Sequence, residues 1–594
     1  MTQWIAAITR GHNAGVALVK DGELVFAVEE ERLTRRKYDG APLASIVKIL
    51  EYTPKIDYLV VAHTQLMKQD CPRLEYTMEP VYLGMARKLG LIEDLEPDPD
   101  KVHPQVIDVG NVHHKLHAAC AFYRSGFDEA AAVVVDGAGT FIDFQIMGAN
   151  DTAWETETIF DCTFPKTINT AYKHLGVRGP ALQQTSHMEA GRVFPGEEGT
   201  FEYTVTETAG IVKAYEAVTG FCGWHAIEAG KTMGLFPYGQ PNEEVPSIFS
   251  EGRVDRNVVI PTYPNAGHIN SQRYPFLDNN DADDLTTLQN RRDLAYAVQT
   301  ETQKAVLDLI YKAVEITGKK NVVLSGGYGL NCVANYWYLD KLKEDGINLF
   351  VEPVSNDGGT AIGAALLTYY QNHAPEDVTP QKINDLYYGP DYDLSLTQII
   401  DTADKYGGVV SDATNEDVVE LITNENIVSV FQGKSEAGPR ALGNRSILYD
   451  PRDPDGKDFV NTVKRREYFR PFAGSILAEH AHEWFDLRGM EDTPFMMYAV
   501  KCQPGIEEKI PSIIHVDGTC RIQTVTPEQN KNYYDLIKAF YDATGCPIVF
   551  NTSFNLGGEP LVETLDDACR TLAESDIEYL YLPEYNKLIT VSND

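Results

Sequence analysis

His113 and His117 stand four residues apart in the run NVHHKLHAAC that starts at Asn111, and this spacing puts both imidazoles on one face of a helix. His114 points elsewhere. Two aspartates stand at turns further along: Asp136 closes an apolar strand at DGAGT, and Asp357 lies in VSNDGGTAIGAAL, where a strand gives way to a Gly-rich turn and a small-residue helix. Two imidazoles and one or two carboxylates, brought together, suit a divalent transition metal such as Fe²⁺, Mn²⁺ or Zn²⁺. On spacing alone, two histidines of the core or the surface fit equally well.

A second set of reactive groups lies between Gln432 and Phe472, QGKSEAGPRALGNRSILYDPRDPDGKDFVNTVKRREYFRPF. Nine Lys/Arg meet six Asp/Glu there, whereas the whole chain has 51 Lys+Arg against 87 Asp+Glu. A local cationic surplus in an acidic protein suits a small polyanion, phosphate first among them. Arg440 and Arg445 flank ALGN, and Lys464, Arg465, Arg466 and Arg470 follow, so guanidinium forks and an ammonium can converge on one group. Gly433, Gly438 and Gly443 suit a backbone brought close to a ligand, although the stretch does not fit the Walker pattern. A solvated basic face is the plain alternative. Further on, Arg521 lies in HVDGTCRIQTV, and Ser553 and Asn555 offer hydrogen bonds where the apolar run PIVF enters NTSFN.

The elements that must position these groups begin at the N-terminus. WIAAIT, AGVALV and ELVFAV read as strands joined by turns at Arg10–Asn13 and Lys20–Gly22. A similar pattern recurs as AAAVVV before DGAGT, then FIDFQIMG, a turn at Ala149–Asn150, and TAWETETIF. The recurrence predicts an α/β layer duplicated internally, with a ligand at the strand ends. LSGGYGLNCVAN reads as a strand, a Gly pair and a helix start, where Gly326 and Gly327 let backbone lie flat against a nucleotide beside Asn331. With Gly137 and Gly139 of DGAGT and Gly358 of DGGT, they make the three loops expected of an actin or sugar-kinase type of ATP site.

Other stretches are less regular. Glu228–Gly239 reads as a turn containing Lys231. Cys162–Thr219 is polar and aromatic, with Lys166, Lys173, His174, Arg178, His187 and Arg192 scattered through it. It reads as an insertion shaping an acceptor pocket, or as a surface loop. Between about His373 and Tyr392 apolar periodicity fades and Pro appears, which predicts a linker and domains at 1–376 and 377–594.

A chain of 594 residues is too long for one core and predicts two to four domains. No run approaches the ~20 apolar residues of a membrane span, and the N-terminus lacks a basic region followed by an apolar block, which predicts a cytoplasmic protein with no membrane partner. Nine scattered cysteines without a CxxC pair argue against disulfides and a structural zinc. A net charge of −36 opposes tight binding to long nucleic acid, while a local basic channel can still hold a nucleotide or a flipped base.

GKSEAGPRALGNRSIL followed by KRREYFRPFAGSIL resembles the signature of the ATP-dependent O-carbamoyltransferases of antibiotic and nodulation-factor pathways, and the resemblance extends through most of the chain. It implies an actin-like ATPase N-terminal domain, duplicated and ribonuclease-H-like, similar to threonylcarbamoyl-transfer proteins, and a smaller twisted α/β C-terminal domain. The family's metal ligands fall on His113, His117, Asp136 and Asp357, with Fe²⁺ first and Mn²⁺ or Zn²⁺ as alternatives. Its carbamoyl phosphate site falls on Lys464, Arg470, Arg521 and Ser553, with Arg440 and Arg445 in the same motif. The implied reaction takes carbamoyl phosphate and ATP, accompanied by Mg²⁺, through a carbamoyl-adenylate to an acceptor hydroxyl. That attack needs a base, for which His12 on the first turn is a candidate. Acceptors in the family are hydroxyls of small molecules, such as natural-product sugars and macrocycles, or the hydroxymethyl of a modified cytosine in viral DNA. An actin-fold kinase or ATPase, and a tRNA threonylcarbamoyl-type or nucleotide-binding scaffold protein, are the alternatives.

Overall fold

Trp4–Thr9, Gly15–Lys20 and the strand that begins at Glu23 form where the apolar runs predict them. Asp21 and Gly22 between them have φ of 49° and 90°, the left-handed pair that a two-residue turn between right-twisted strands requires. In the computed structural model, which describes residues 2–63, 81–96, 98, 101–146, 149–177, 184–194, 197–206, 209–249, 258–260, 267–274, 277 and 283–592, Trp4–Thr9 pairs antiparallel with Gly15–Lys20 and parallel with Tyr58–Ala62, which pairs parallel with Val106–Asp108. A second sheet repeats that plan. Glu129–Val135 pairs antiparallel with Ala149–Thr163 and parallel with Asn321–Ser325, which pairs parallel with Asn348–Val351. The same order twice is the duplicated ribonuclease-H-like arrangement of the actin-like ATPase fold.

Three local readings change. Ala149 and Asn150 are not a turn: they are strand residues that pair with Ile146 and Gln145. Cys162–Thr219 is not loop-like; Thr167–Val177, Gln184–Glu189 and Thr200–Thr206 extend the second sheet, and the helix Ile211–Phe221 follows. These strands escape notice because their buried positions include the polar Thr170 and Lys173, the latter held by an ion pair with Glu155. Glu228–Gly239 is mostly helical, with Lys231 on the helix Ala229–Leu235 in an ion pair with Glu228 at 3.1 Å.

The chain divides into two units, Met1–Val25 with Gly40–Ile383, and Phe26–Asp39 with Asn384–Asp594. A cut at 376/377 along the chain assigns Phe26–Asp39 to the first unit, but its arginines hold it in the second. Arg32 donates to the carbonyls of Glu436 and Gly438 at 2.9 and 2.7 Å, and Arg35 to those of Leu561 and Pro560 at 2.5 and 3.0 Å. The second unit carries one ten-stranded mixed sheet, with Val428–Phe431, Arg445–Tyr449, Ile548–Ser553, Ala473–Leu477 and Thr519–Val525 adjacent in its middle. The described cysteines are free thiols, and among the described residues no helix is long and apolar enough to cross a membrane.

Candidate functional site

The helix His113–Ser125, which lies on the second sheet, packs against the helix Gly358–Gln371, which lies on the first. Small residues allow the approach: a Cβ on Gly359 would sit 3.4 Å from Cys120 Sγ and overlap its own chain's Val354 carbonyl. This contact brings Asp357, at the start of its helix, onto the face that carries His113 and His117. Asp357 does not cap its helix with its side chain, so the carboxylate is turned to the imidazoles, and the positive end of the helix favours its charge. Asp136 follows the strand Glu129–Val135, where the N–H of Gly327, at the end of the neighbouring parallel strand, donates to its Oδ1 at 3.1 Å.

The four predicted ligands meet. His113 Nε2 lies 3.5 Å from Asp136 Oδ2 and 3.6 Å from Asp357 Oδ1, and His117 Nε2 lies 3.5 Å from Asp357 Oδ1. One ligand atom from each of the four falls within 4.8 Å of every other. Two atoms bound at about 2.1 Å to one ion at a tetrahedral angle lie about 3.4 Å apart, so these separations suit a shared cation. Both ring nitrogens of His113 and of His117 are buried without a hydrogen-bond partner among the described residues. Buried imidazoles are costly in that state, and a metal at the two Nε2 atoms would satisfy one nitrogen of each ring. The donor set therefore fits a divalent transition metal.

The electrostatics agree. Burial opposes a charge on His113, but the adjacent Asp136 and Asp357 outweigh it and push its pKa up to about 10. Burial likewise opposes charge on the two carboxylates, yet the imidazoles hold both below the usual carboxylate range. The cluster is built for positive charge among its anions. His114 turns away as its spacing predicts: its Nδ1 meets Thr158 Oγ1 at 2.8 Å, and burial lowers its pKa to about 4. His12 is 45% exposed, with Nδ1 3.9 Å from Asp357 Oδ2.

The glycines of the predicted nucleotide loops have varied roles. Gly326 has φ 86° and its Cβ position overlaps the Val135 carbonyl, so only glycine fits between the two strand ends. Gly139 is pressed against His114 and Glu155, which explains it by packing, and Gly137 faces Glu216 and Lys213. Gly358 begins the helix behind Asp357. Asn331 is committed to its surroundings: Oδ1 accepts from Ala334 N–H at 3.1 Å and from Gln299 Nε2 at 3.2 Å, and Nδ2 donates to Gln299 Oε1 at 3.0 Å.

The second unit separates its cations into two kinds. Arg445 is fully buried and spends its five N–H groups on the carbonyls of Gln432, Asn444, Gly433 and Glu563, at 2.6 to 3.3 Å, with its guanidinium 3.8 Å from the Phe431 ring centre. It fastens strands and has no donor left for a phosphate. Lys464 is also buried; its ammonium donates to the Ser553 carbonyl and to Asn555, at 2.8 Å to the carbonyl and 3.3 Å to Oδ1. Burial, then Arg466 and Arg470, push its pKa well down. Ser553 Oγ donates to Asn555 Oδ1 at 2.6 Å, closing the NTSFN turn.

Arg466, Arg470 and Arg521 form the other kind. Burial and the charges of Arg470 and Arg521 push the Arg466 pKa well down, which marks three guanidiniums close enough to repel. Nε of Arg466 and of Arg521 is buried without a hydrogen-bond partner among the described residues. Glu467, 3.5 Å from Arg470, is the counter-charge in reach. Arg466 stands among the cations expected to converge, but the family motif points to Arg470 and Arg521 and not to it, because KRR does not say which side chain turns inward. Arg440 stands on the loop that precedes the strand Arg445–Tyr449; that loop is fixed by Glu436, whose Oε1 accepts from the N–H groups of Leu442, Asn444 and Arg445 at 2.7, 2.9 and 3.2 Å.

Residues 100–366 match the family described as Carbamoyltransferase N-terminus, and residues 419–587 match Carbamoyltransferase C-terminus. Nodulation protein NolNO of Sinorhizobium fredii is 31% identical over 97% of this chain and 78% of its own length. An uncharacterized protein of Synechocystis is 30% identical over 98% of this chain and 96% of its own. Full-length HypF in its phosphate- and nucleotide-bound form aligns with a TM-score of 0.34 and 12% identity, over 62% of this chain and 46% of that one. The chain belongs to the carbamoyltransferase family.

Proposed function

We propose that this transferase is an ATP-dependent O-carbamoyltransferase that uses carbamoyl phosphate and ATP, with Mg²⁺, to form a carbamoyl-adenylate and passes the carbamoyl group to an acceptor hydroxyl. The observation that carries the reading is Arg466, crowded by the charges of Arg470 and Arg521, with the Nε groups of Arg466 and Arg521 buried without a hydrogen-bond partner among the described residues, a setting that calls for an anion. Arg470 and Arg521 neutralise the phosphate, and Lys464 and Ser553 hold the turn at its edge. Gly327 and Gly358, with Gly137, would lie along the nucleotide in the first unit, whereas Gly139 and Gly326 serve the packing of the strand ends that carry those loops.

His113, His117, Asp136 and Asp357 would hold Fe²⁺, or alternatively Mn²⁺ or Zn²⁺, which when bound supplies a Lewis acid for a phosphate. Asp357 and Asp136 keep the imidazoles oriented, and His12 beside Asp357 is one base available to the acceptor hydroxyl. The acceptor is a hydroxyl of a small molecule or nucleotide; the charge of −36 weighs against a tRNA or long DNA partner.

Incubation of the purified chain with carbamoyl phosphate and ATP tests the reading. Carbamoyl phosphate-dependent AMP and pyrophosphate are the expected products, together with the inorganic phosphate released from carbamoyl phosphate. ADP, formed with or without carbamoyl phosphate, would replace the reading with a kinase or ATPase.

A further inference from the structure

The strands Ala149–Thr163 and Thr167–Val177 pair Glu155 with Leu175 but Glu157 with His174, so Thr156 is an extra residue, a β-bulge. The bulge gives each glutamate its own partner: Glu155 is paired with Lys173 and Glu157 with His174. Glu157 is 1% exposed, and its Oε1 accepts from the Ile211 N–H at 2.7 Å. Its Oε2 accepts from the Thr156 hydroxyl at 2.7 Å and contacts His174 Nδ1. Burial alone would raise its pKa, but His174 and these donors lower it. A carboxylate on Nδ1 fixes that nitrogen as the protonated one and leaves Nε2 with its lone pair.

Thr156 joins this pair to the ligand cluster. Its carbonyl accepts the backbone N–H of Asp136 at 3.1 Å, and its hydroxyl also lies 3.0 Å from the His174 carbonyl. The His174 side chain is 21% exposed, so a substrate can reach it. His12 lacks such an orienting group, since its neighbouring carboxylate belongs to the ligand set.

We propose that His174, oriented by Glu157, is the base that takes the proton of the acceptor hydroxyl; the assignment rests on the transferase reading above. The acceptor oxygen bonds to the carbamoyl carbon as the bond from that carbon to the adenylate oxygen breaks. AMP leaves with the electron pair, and the hydroxyl proton goes to His174 Nε2 and then to water. His174 is the catalytic residue and Glu157 a positioning residue.

The test uses the full chain with carbamoyl phosphate and ATP, and two small nucleophiles: methanol, whose hydroxyl needs a base, and hydroxylamine, which attacks without one. Wild type is expected to form methyl carbamate and N-hydroxyurea. His174→Gln is expected to lose methyl carbamate formation at least ~100-fold while N-hydroxyurea formation changes less than about threefold, and Glu157→Gln to show the same split more weakly. Equal loss with both nucleophiles, no loss with methanol, or a wild type that makes only N-hydroxyurea would overturn the assignment. Pyrophosphate exchange into ATP, followed in parallel, reports on adenylate formation, so its absence in wild type would count against the transferase reading and not against His174.

Discussion

A Cβ on Gly363 would overlap the carbonyl oxygen of Leu116, so the helices Gly358–Gln371 and His113–Ser125 touch backbone to backbone one turn from the metal ligands. That contact sets the distance from Asp357 to His113 and His117.

Gly363→Ala is therefore expected to push the helices apart, at a cost of about 1–3 kcal/mol in unfolding free energy. The bound metal should fall with it. Denaturant unfolding and elemental analysis of the purified variant check both; unchanged stability with unchanged metal content would mean that the helices have slack.

Arg445 and Arg521 carry the same charge in opposite settings. Arg445→Met strips four backbone carbonyls of their donors and is expected to destabilise the protein by about 3–5 kcal/mol. Arg521→Met relieves repulsion and is expected to change stability by less than about 1 kcal/mol while reducing pyrophosphate exchange at least ~100-fold. Urea unfolding beside the exchange assay separates the two.

Glu155 gives a pH dependence. Burial would raise its pKa, but Lys173 outweighs burial and lowers it from 4.5 to about 2. Its folded pKa is depressed, so the stability it adds is present above about pH 4.5 and is lost as pH falls towards 2. Glu155→Gln, which leaves Lys173 buried and unpaired, is expected to cost about 3–5 kcal/mol at neutral pH. The gap between wild type and variant in urea unfolding should narrow as pH falls below about 4.5. A gap constant down to about pH 3 would show that the pair carries no net charge coupling.

The parts of the fold written in local pattern were legible. Apolar runs of WIAAIT and AAAVVV announced both first strands, and the i, i+4 spacing of His113 and His117 announced a shared helical face. Partnerships across hundreds of residues were not. Nothing near Arg32 signals that its guanidinium will serve the carbonyls of Glu436 and Gly438. Composition gathered Arg445 with Arg466 and Arg470, because charge counts do not record which carbonyls consume a guanidinium. Thr167–Val177 hid as a strand because Lys173 is buried there through an ion pair, where periodicity expects an apolar residue.

The most direct test of the account compares His113→Ala and Arg521→Ala in two assays: carbamoyl phosphate-dependent pyrophosphate exchange into ATP, and carbamoyl transfer to methanol from the complete mixture. The account predicts that Arg521→Ala loses both, whereas His113→Ala keeps exchange and loses transfer. A His113→Ala protein that fails equally in both assays would contradict the division of the reaction between the two sets of residues.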